Sequence, residues 1–254
     1  MKIIIFSKVN DLQKYVANLF IEQIKQNPNS VLGFATGVSP VAAYQLLIED
    51  HKKNKTSWKN ITTFNLDEFV GLNPEHPEAF IKQMKNNLFD HIDVQKENIF
   101  IPNGNAKNLN QEALNYEELI ANKLIDFQYI SLGVNGHMAY NEPGTNPNKG
   151  THVANLTKET INDLVVKNKF DSYEKSPKEA ITMGIQTILK YTKKIIMVSF
   201  GENKALVTKK MLEEKPNNDV TASYLQFHPN CTFILDEKAS KFLSQETLNK
   251  AERR

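Results

Sequence analysis

Over residues 127–144 the chain reads FQYISLGVNGHMAYNEPG, which sets an imidazole and a carboxylate, His137 and Glu142, five residues apart. A carboxylate bonded to one ring nitrogen of a histidine fixes its tautomer and raises its basicity, so the pair is suited to moving protons. The apolar run 127–132, interrupted only by Gln128 and Ser131, has the length of a strand buried on both faces. Gly133 and Gly136 bracket the turn behind it, and Pro143-Gly144 stops the loop from continuing as helix. A strand that ends in such a turn delivers side chains and free N–H groups to the crevice at the carboxyl edge of an α/β sheet, where ligands bind. A lone histidine beside a glycine is more often an ordinary loop residue. The buried strand, the two glycines, His137 and Glu142 together favour a functional loop.

Three further places have the right chemistry at the exits of expected strands. ATGVSP, residues 35–40, follows the apolar run 31–35 and opens a helix with proline in its first turn, an arrangement that aims N–H groups at an anion. It lacks the lysine of a P-loop and the spacing of a dinucleotide fingerprint, so a plain capped helix is the competing reading. Asp67 and Glu68 leave the run 61–66 as a carboxylate pair, one of which suits a base. On the plainer reading Asp67 is a cap and Glu68 is solvated. Lys204 sits in the first turn of a helix after the run 194–200, where a cation is unfavourable unless an anion joins it.

The elements that must position these groups alternate along the chain. Strands are expected at 3–6, 31–35, 61–66, 99–101, 127–132, 151–156, 194–200 and 232–236. The first helix is capped by Asn10 or Asp11 and shows an apolar face at Leu12, Val16, Phe20 and Ile24; others run over 110–124 and over 157–168, the latter capped by Thr157 with Thr160 behind it. No linker separates two halves. The pattern predicts a single-domain α/β fold, doubly wound and Rossmann-like, with a mostly parallel sheet flanked by helices. The segment 167–178 is polar and expected to be exposed, and the charged tail after Gln245 is expected to fray.

Composition narrows the function classes. The 254 residues are 40% hydrophobic and 24% charged with a net charge of +2, which leaves no electrostatic footprint for nucleic acid. The apolar run at the N-terminus is too short for a membrane span, and one cysteine, Cys231, allows no internal disulfide. Both fit a cytoplasmic protein. No cluster with metal-ligand spacing is present, so no metal is expected.

The motifs ATGVSP, TTFNLDEFVGL at 62–72, NGHMAYNEPGT at 135–145, KEAITMGIQTIL at 178–189 and FGENKA at 200–205 resemble, in order and spacing, those of the glucosamine-6-phosphate deaminase family. The resemblance covers almost the whole chain and implies one deaminase-like domain, 1–254, with a candidate lid at about 157–180. It implies conversion of glucosamine 6-phosphate to fructose 6-phosphate and ammonia, with a small-molecule substrate, no nucleic acid, no membrane and no cofactor. Monomer or homo-oligomer stays open. By position, Asp67 resembles the base that moves the proton between C2 and C1, and His137 with Glu142 the pair that opens the sugar ring. Asn135 stands where some members carry aspartate. Thr36, Gly37, Val38, Ser39, Gly136 and Lys204 resemble the substrate and phosphate contacts, and Lys169 falls at or beside the lid arginine, keeping its charge but losing its fork. Ser131 replaces an expected glycine. The competing readings are a 6-phosphogluconolactonase-like hydrolase and a non-catalytic sugar-phosphate sensor on the same fold.

Overall fold

Apolar runs of four to six residues without alternation become parallel strands covered on both faces, and they set the frame of the molecule. A computed structural model describes residues 1–254. In chain order the elements are β1 (Lys2–Phe6), α1 (Val9–Gln26), β2 (Val31–Phe34), α2 (Val41–Asn54), β3 (Thr62–Asn65), β4 (Asp67–Phe69), α3 (Phe80–Asn87), β5 (Ile99–Phe100), α4 (Leu109–Lys123) and β6 (Phe127–Ser131). There follow β7 (His152–Asn155), α5 (Lys158–Val166), β8 (Glu179–Thr182), α6 (Ile185–Tyr191), β9 (Ile195–Ser199), α7 (Ala205–Glu213), β10 (Cys231–Asp236), α8 (Gln245–Lys250) and β11 (Glu252–Arg253). No helix is long and apolar enough to cross a membrane.

The main sheet has eight strands, all parallel, in the order β11-β1-β10-β9-β6-β2-β3-β5. From β2 the chain moves outward through β3 to β5, then returns to β6 and moves the opposite way through β9 and β10. The direction of winding therefore reverses between β2 and β6, and the loops that leave these neighbours part from each other. Helix α1 holds the two strands together. Its Leu12, Val16, Phe20 and Ile24 recur at helical spacing and are buried, and Phe20 stacks on Phe34 of β2 at 5.2 Å while meeting Phe127 of β6 edge-on at 4.7 Å. Burying one such side chain stabilises the fold by about 1.5–3 kcal/mol.

A second sheet, β4-β8-β7, is antiparallel and was not expected from the sequence. Only Leu66 separates β3 from β4, so the chain passes directly from one sheet to the other within a single domain. Phe69, Phe80, Tyr140, Ile161, Leu164 and Phe170 form its own apolar cluster. Strands of three or four residues carry no period that separates them from turns, which is why 67–69 reads as a strand exit and 151–156 as part of the main sheet. Glu68 is buried here: its carboxylate accepts the N–H groups of Phe69, Phe80 and Ile81, two of them the open first donors of α3. It is a structural cap, not a solvated residue.

Two local expectations fail. Neither Asn10 nor Asp11 caps α1; Lys8 stands at that position and makes no side-chain bond. The tail does not fray, because Ser244 caps α8 and β11 then adds to the free edge of β1, with Arg254 N–H bonded to Ile5 C=O at 2.9 Å. Backbone pairing needs no apolar side chains, and charged residues are what an edge strand tolerates. Deleting residues 252–254 should lower the thermal midpoint by about 2–4 °C without changing the circular dichroism. An unchanged midpoint would show that β11 contributes nothing.

Candidate active site

At the carboxyl edge of the main sheet, where the winding reverses, lies a cavity of about 510 Å³. The loops after β2, β3, β6 and β9 form its floor, and the segment around α5 forms one wall. Asp67, His137, Thr36, Gly37, Val38, Ser39, Lys169 and Lys204 all line it.

The loop after β6 is held rigidly. Gly133 N–H bonds His137 C=O at 2.8 Å, and the His137 ring lies so close over Gly133 that a Cβ there would come within 2.0 Å of it. Ala139 accepts a positive φ of 50°, and Asn141 ties Met138 C=O to Met183 C=O through its amide nitrogen. From outside, Ala222 N–H bonds Gly136 C=O and the Thr221 hydroxyl bonds Asn141 C=O. The imidazole is thereby aimed into the cavity through a fixed backbone.

Behind the ring, Glu142 Oε2 lies 3.3 Å from His137 Nδ1 and accepts from Asn135 Nδ2 at 2.7 Å, while Oε1 accepts from the Thr160 hydroxyl at 2.5 Å. Burial works to raise the Glu142 carboxyl, but the bonds and charge of His137, with Thr160 and Asn135, outweigh it and hold it at about 2. The ionised Glu142 holds the Nδ1 side of the His137 ring and leaves Nε2 for the cavity. Glu142 and Asn135 do not line the cavity; they act on the ring.

Asp67 meets the opposite conditions. It is buried, no hydrogen bond reaches its carboxylate, and Glu68 stands next to it. Burial first, and the charge of Glu68 second, push it up to about 8. The cradle after β2 turns at Gly37, with φ 83°, and leads into the N-terminus of α2. Its Gly37 N–H bonds Gln83 Oε1 at 3.3 Å, whereas Val38 and Ser39 N–H have no protein acceptor. Lys204 donates to Leu132 C=O at 2.7 Å and faces the cradle's cavity. Burial, then the neighbouring charge of Lys167, lower it to about 8 against the pull of Asp163.

Gly136 is placed differently from the sequence reading. It does not line the cavity; its φ of 91° and its contact with Val207 and Val220, 2.9 Å from where a Cβ would stand, make it a turn residue. Lys169 lines the cavity but is paired with Glu78 at 2.5 Å. Sequence reasoning missed Thr160, Glu78, Gln83, Asp163 and Lys167, all of which line the cavity. The spacing Thr157-x-x-Thr160 announced a helix cap and no more; the others carried no local signal.

Taken together these features define an α/β protein whose doubly wound sheet carries, at its switch point, a cavity lined by titratable side chains and by the turn that opens α2. The chain belongs to the family described as glucosamine-6-phosphate isomerases/6-phosphogluconolactonase, which it matches over residues 7–233. It is 61% identical over 98% of both chains to the glucosamine-6-phosphate deaminase of Mycoplasmopsis pulmonis, and 41% identical over 99% of both to that of Thermoanaerobacter pseudethanolicus. A solved monomeric glucosamine-6-phosphate deaminase superposes with a TM-score of 0.91 at 38% identity, covering 95% of this chain and 99% of the other. The 6-phosphogluconolactonase of Trypanosoma cruzi shares the fold alone, at 20% identity and a TM-score of 0.73 over 96% and 97%.

The lowered carboxyl of Glu142 is linked to stability. A carboxylate whose folded value lies below its unfolded one stabilises the fold above the unfolded value, near 4.5, and that contribution is lost as pH falls through about 2. Replacing Glu142 by Gln should therefore cost about 1–3 kcal/mol at pH 6 in denaturant melts, with the difference from the parent shrinking toward pH 2. A difference constant with pH would contradict the ionised pair.

Proposed function

We propose that this protein isomerises and deaminates glucosamine 6-phosphate, releasing fructose 6-phosphate and ammonia, within one domain spanning residues 1–254. The observation that carries the reading is that a proton-accepting carboxylate, a carboxylate-backed imidazole and an anion cradle with a buried lysine open onto one cavity. The full-length similarity to deaminases in two organisms supports the same substrate.

The reaction follows from the placement of these groups. The C2 proton is weakly acidic until the neighbouring C1 is an aldehyde, so the ring opens first. His137, with Nε2 free and Nδ1 held by Glu142, takes the proton of the anomeric hydroxyl and returns one to the ring oxygen. Asp67 then removes the C2 proton. Its raised affinity for protons makes it a stronger base than a solvated aspartate, closer to the operating pH. The electrons move onto O1, which takes a proton from the C2 ammonium to give a C1–C2 enolamine; return of the proton from Asp67 to C1 leaves an iminium ion at C2. Water adds there and ammonia departs. The phosphate, held by the N–H groups of Gly37, Val38 and Ser39 and by Lys204, fixes the reacting carbons against Asp67 from a distance. Residues 157–180 serve as a lid: Thr160, Leu164 and Lys167 already line the cavity, and closure of such a segment excludes water.

Incubation with glucosamine 6-phosphate should yield ammonia and fructose 6-phosphate in equal amounts. Hydrolysis of 6-phosphogluconolactone instead, or binding with no product, would overturn the reading. Asp67→Asn should lower kcat by about 10²–10⁴-fold and abolish exchange of the C2 proton with solvent; retained exchange removes Asp67 as the base. Because the base must be ionised, kcat/KM should rise with pH along a limb set by Asp67 near its value of about 8. A limb centred below pH 5 would contradict the buried, unpartnered carboxylate.

A further inference from the structure

One of the cradle's N–H groups is already engaged. Gly37 N–H donates to Gln83 Oε1 at 3.3 Å, while Val38 and Ser39 N–H have no protein acceptor. Gln83 stands on α3 and lines the cavity, so Gly37 N–H points into the space a ligand would fill and not back into the protein. The amide can face only one way. Its Nε2 donates to Glu78 C=O at 3.2 Å and to Glu78 Oε2 at 3.0 Å, which leaves Oε1 for Gly37.

This contact is not what keeps the cradle in shape, because two buried side chains do so from behind. Tyr44 Oη donates to Ala35 C=O at 2.7 Å and Gln13 Nε2 to Ser39 C=O at 3.0 Å, and the two residues are 1% and 3% exposed. Both grip carbonyls and leave the N–H side open. The bond from Gly37 is longer than either and ends on a half-buried side chain. Gly37 itself is uncrowded: a Cβ there would meet nothing within 4 Å beyond its chain neighbours. Gln83 offers what a phosphate oxygen offers, an acceptor in the cavity, but without charge, so an ionised oxygen arriving there makes the stronger bond. A displaced Oε1 meets water in the open cavity while Nε2 keeps its bonds to Glu78, and no charge is stranded.

We propose that Gln83 is a neutral stand-in for the phosphate: its carbonyl occupies Gly37 N–H in the empty cavity and yields it to a phosphate oxygen on binding. This rests on the reading of the cavity as a sugar-phosphate site and adds the residue that sets how tightly the cradle holds. Displacing Gln83 costs the same whatever sugar the phosphate carries. It therefore weakens substrate, product and free phosphate by one common factor.

Calorimetry with inorganic phosphate and with fructose 6-phosphate tests this without turnover. Gln83→Met and Gln83→Ala both remove the carbonyl, the first keeping the length of the side chain and the second not. Each should tighten both ligands about three- to tenfold, by the same factor. With glucosamine 6-phosphate the gain should appear in KM and not in kcat. Both variants should melt within about 2 °C of the parent. Unchanged or weakened affinity in both overturns the stand-in, as does a gain limited to Gln83→Ala, which would report space, or to fructose 6-phosphate, which would report a contact with the sugar. A larger fall in midpoint in both variants also overturns it, by making Gln83 a strut between α3 and the cradle. If the parent binds neither ligand, the reading of the cavity itself fails and the stand-in with it; binding by the parent with no gain in the variants sinks the stand-in alone.

Discussion

The reversal of strand order between β2 and β6 is the constraint from which the site follows. Two adjacent parallel strands whose chains depart in opposite directions leave a gap at their carboxyl ends that no crossover helix fills. The cradle leaves β2, and the imidazole loop leaves β6 beside it. Their outer neighbours, β3 and β9, supply Asp67 and Lys204. Four separate segments of sequence meet because four neighbouring strands point the same way. Phe20, packed against Phe34 and Phe127, fixes the spacing of the central two.

Within that gap the protein gives two carboxylates opposite characters by the same physical rule. Burial raises both. Glu142 is surrounded by donors, from His137, Asn135 and Thr160, and remains ionised far into acid; Asp67 has none and shares its surroundings with Glu68. In the proposed reaction the first is a fixed charge that orients a ring, and the second is the base that takes the proton. Glu68 could have been a second base by sequence, but three backbone N–H groups hold it as the cap of α3. The same residue type at neighbouring positions is thus divided between chemistry and architecture by the donors available to it.

Much of this was legible in the chain. Buried strands such as β6 and β9 announce themselves as mainly apolar runs, and the two glycines after β6 mark the turn that delivers His137. The doubly wound sheet and the convergence of strand exits follow from such local signals. What was not legible depends on contacts far apart in sequence. The second sheet pairs Asp67 with Thr182, and the tie from Lys169 to Glu78 spans 91 residues. Neither leaves a period or a motif. Thr160 reads as part of a helix cap, yet its hydroxyl serves Glu142 on another loop. The charged tail reads as frayed because charge is counted on side chains, whereas β11 is held by its backbone. Gly136 reads as a ligand contact, although the space it yields is occupied by Val207 and Val220.

The central claim is that one ligand touches all four strand exits at once. A crystal structure with an open-chain amino-sugar alcohol phosphate, which has no carbonyl to isomerise, measures this directly. The account predicts its phosphate on the N–H groups of Gly37, Val38 and Ser39 beside Lys204, C2 against the Asp67 carboxylate, and C1 and its oxygen toward His137 Nε2. A ligand whose phosphate lies in the cradle while its amino-bearing carbon points away from Asp67 would contradict it.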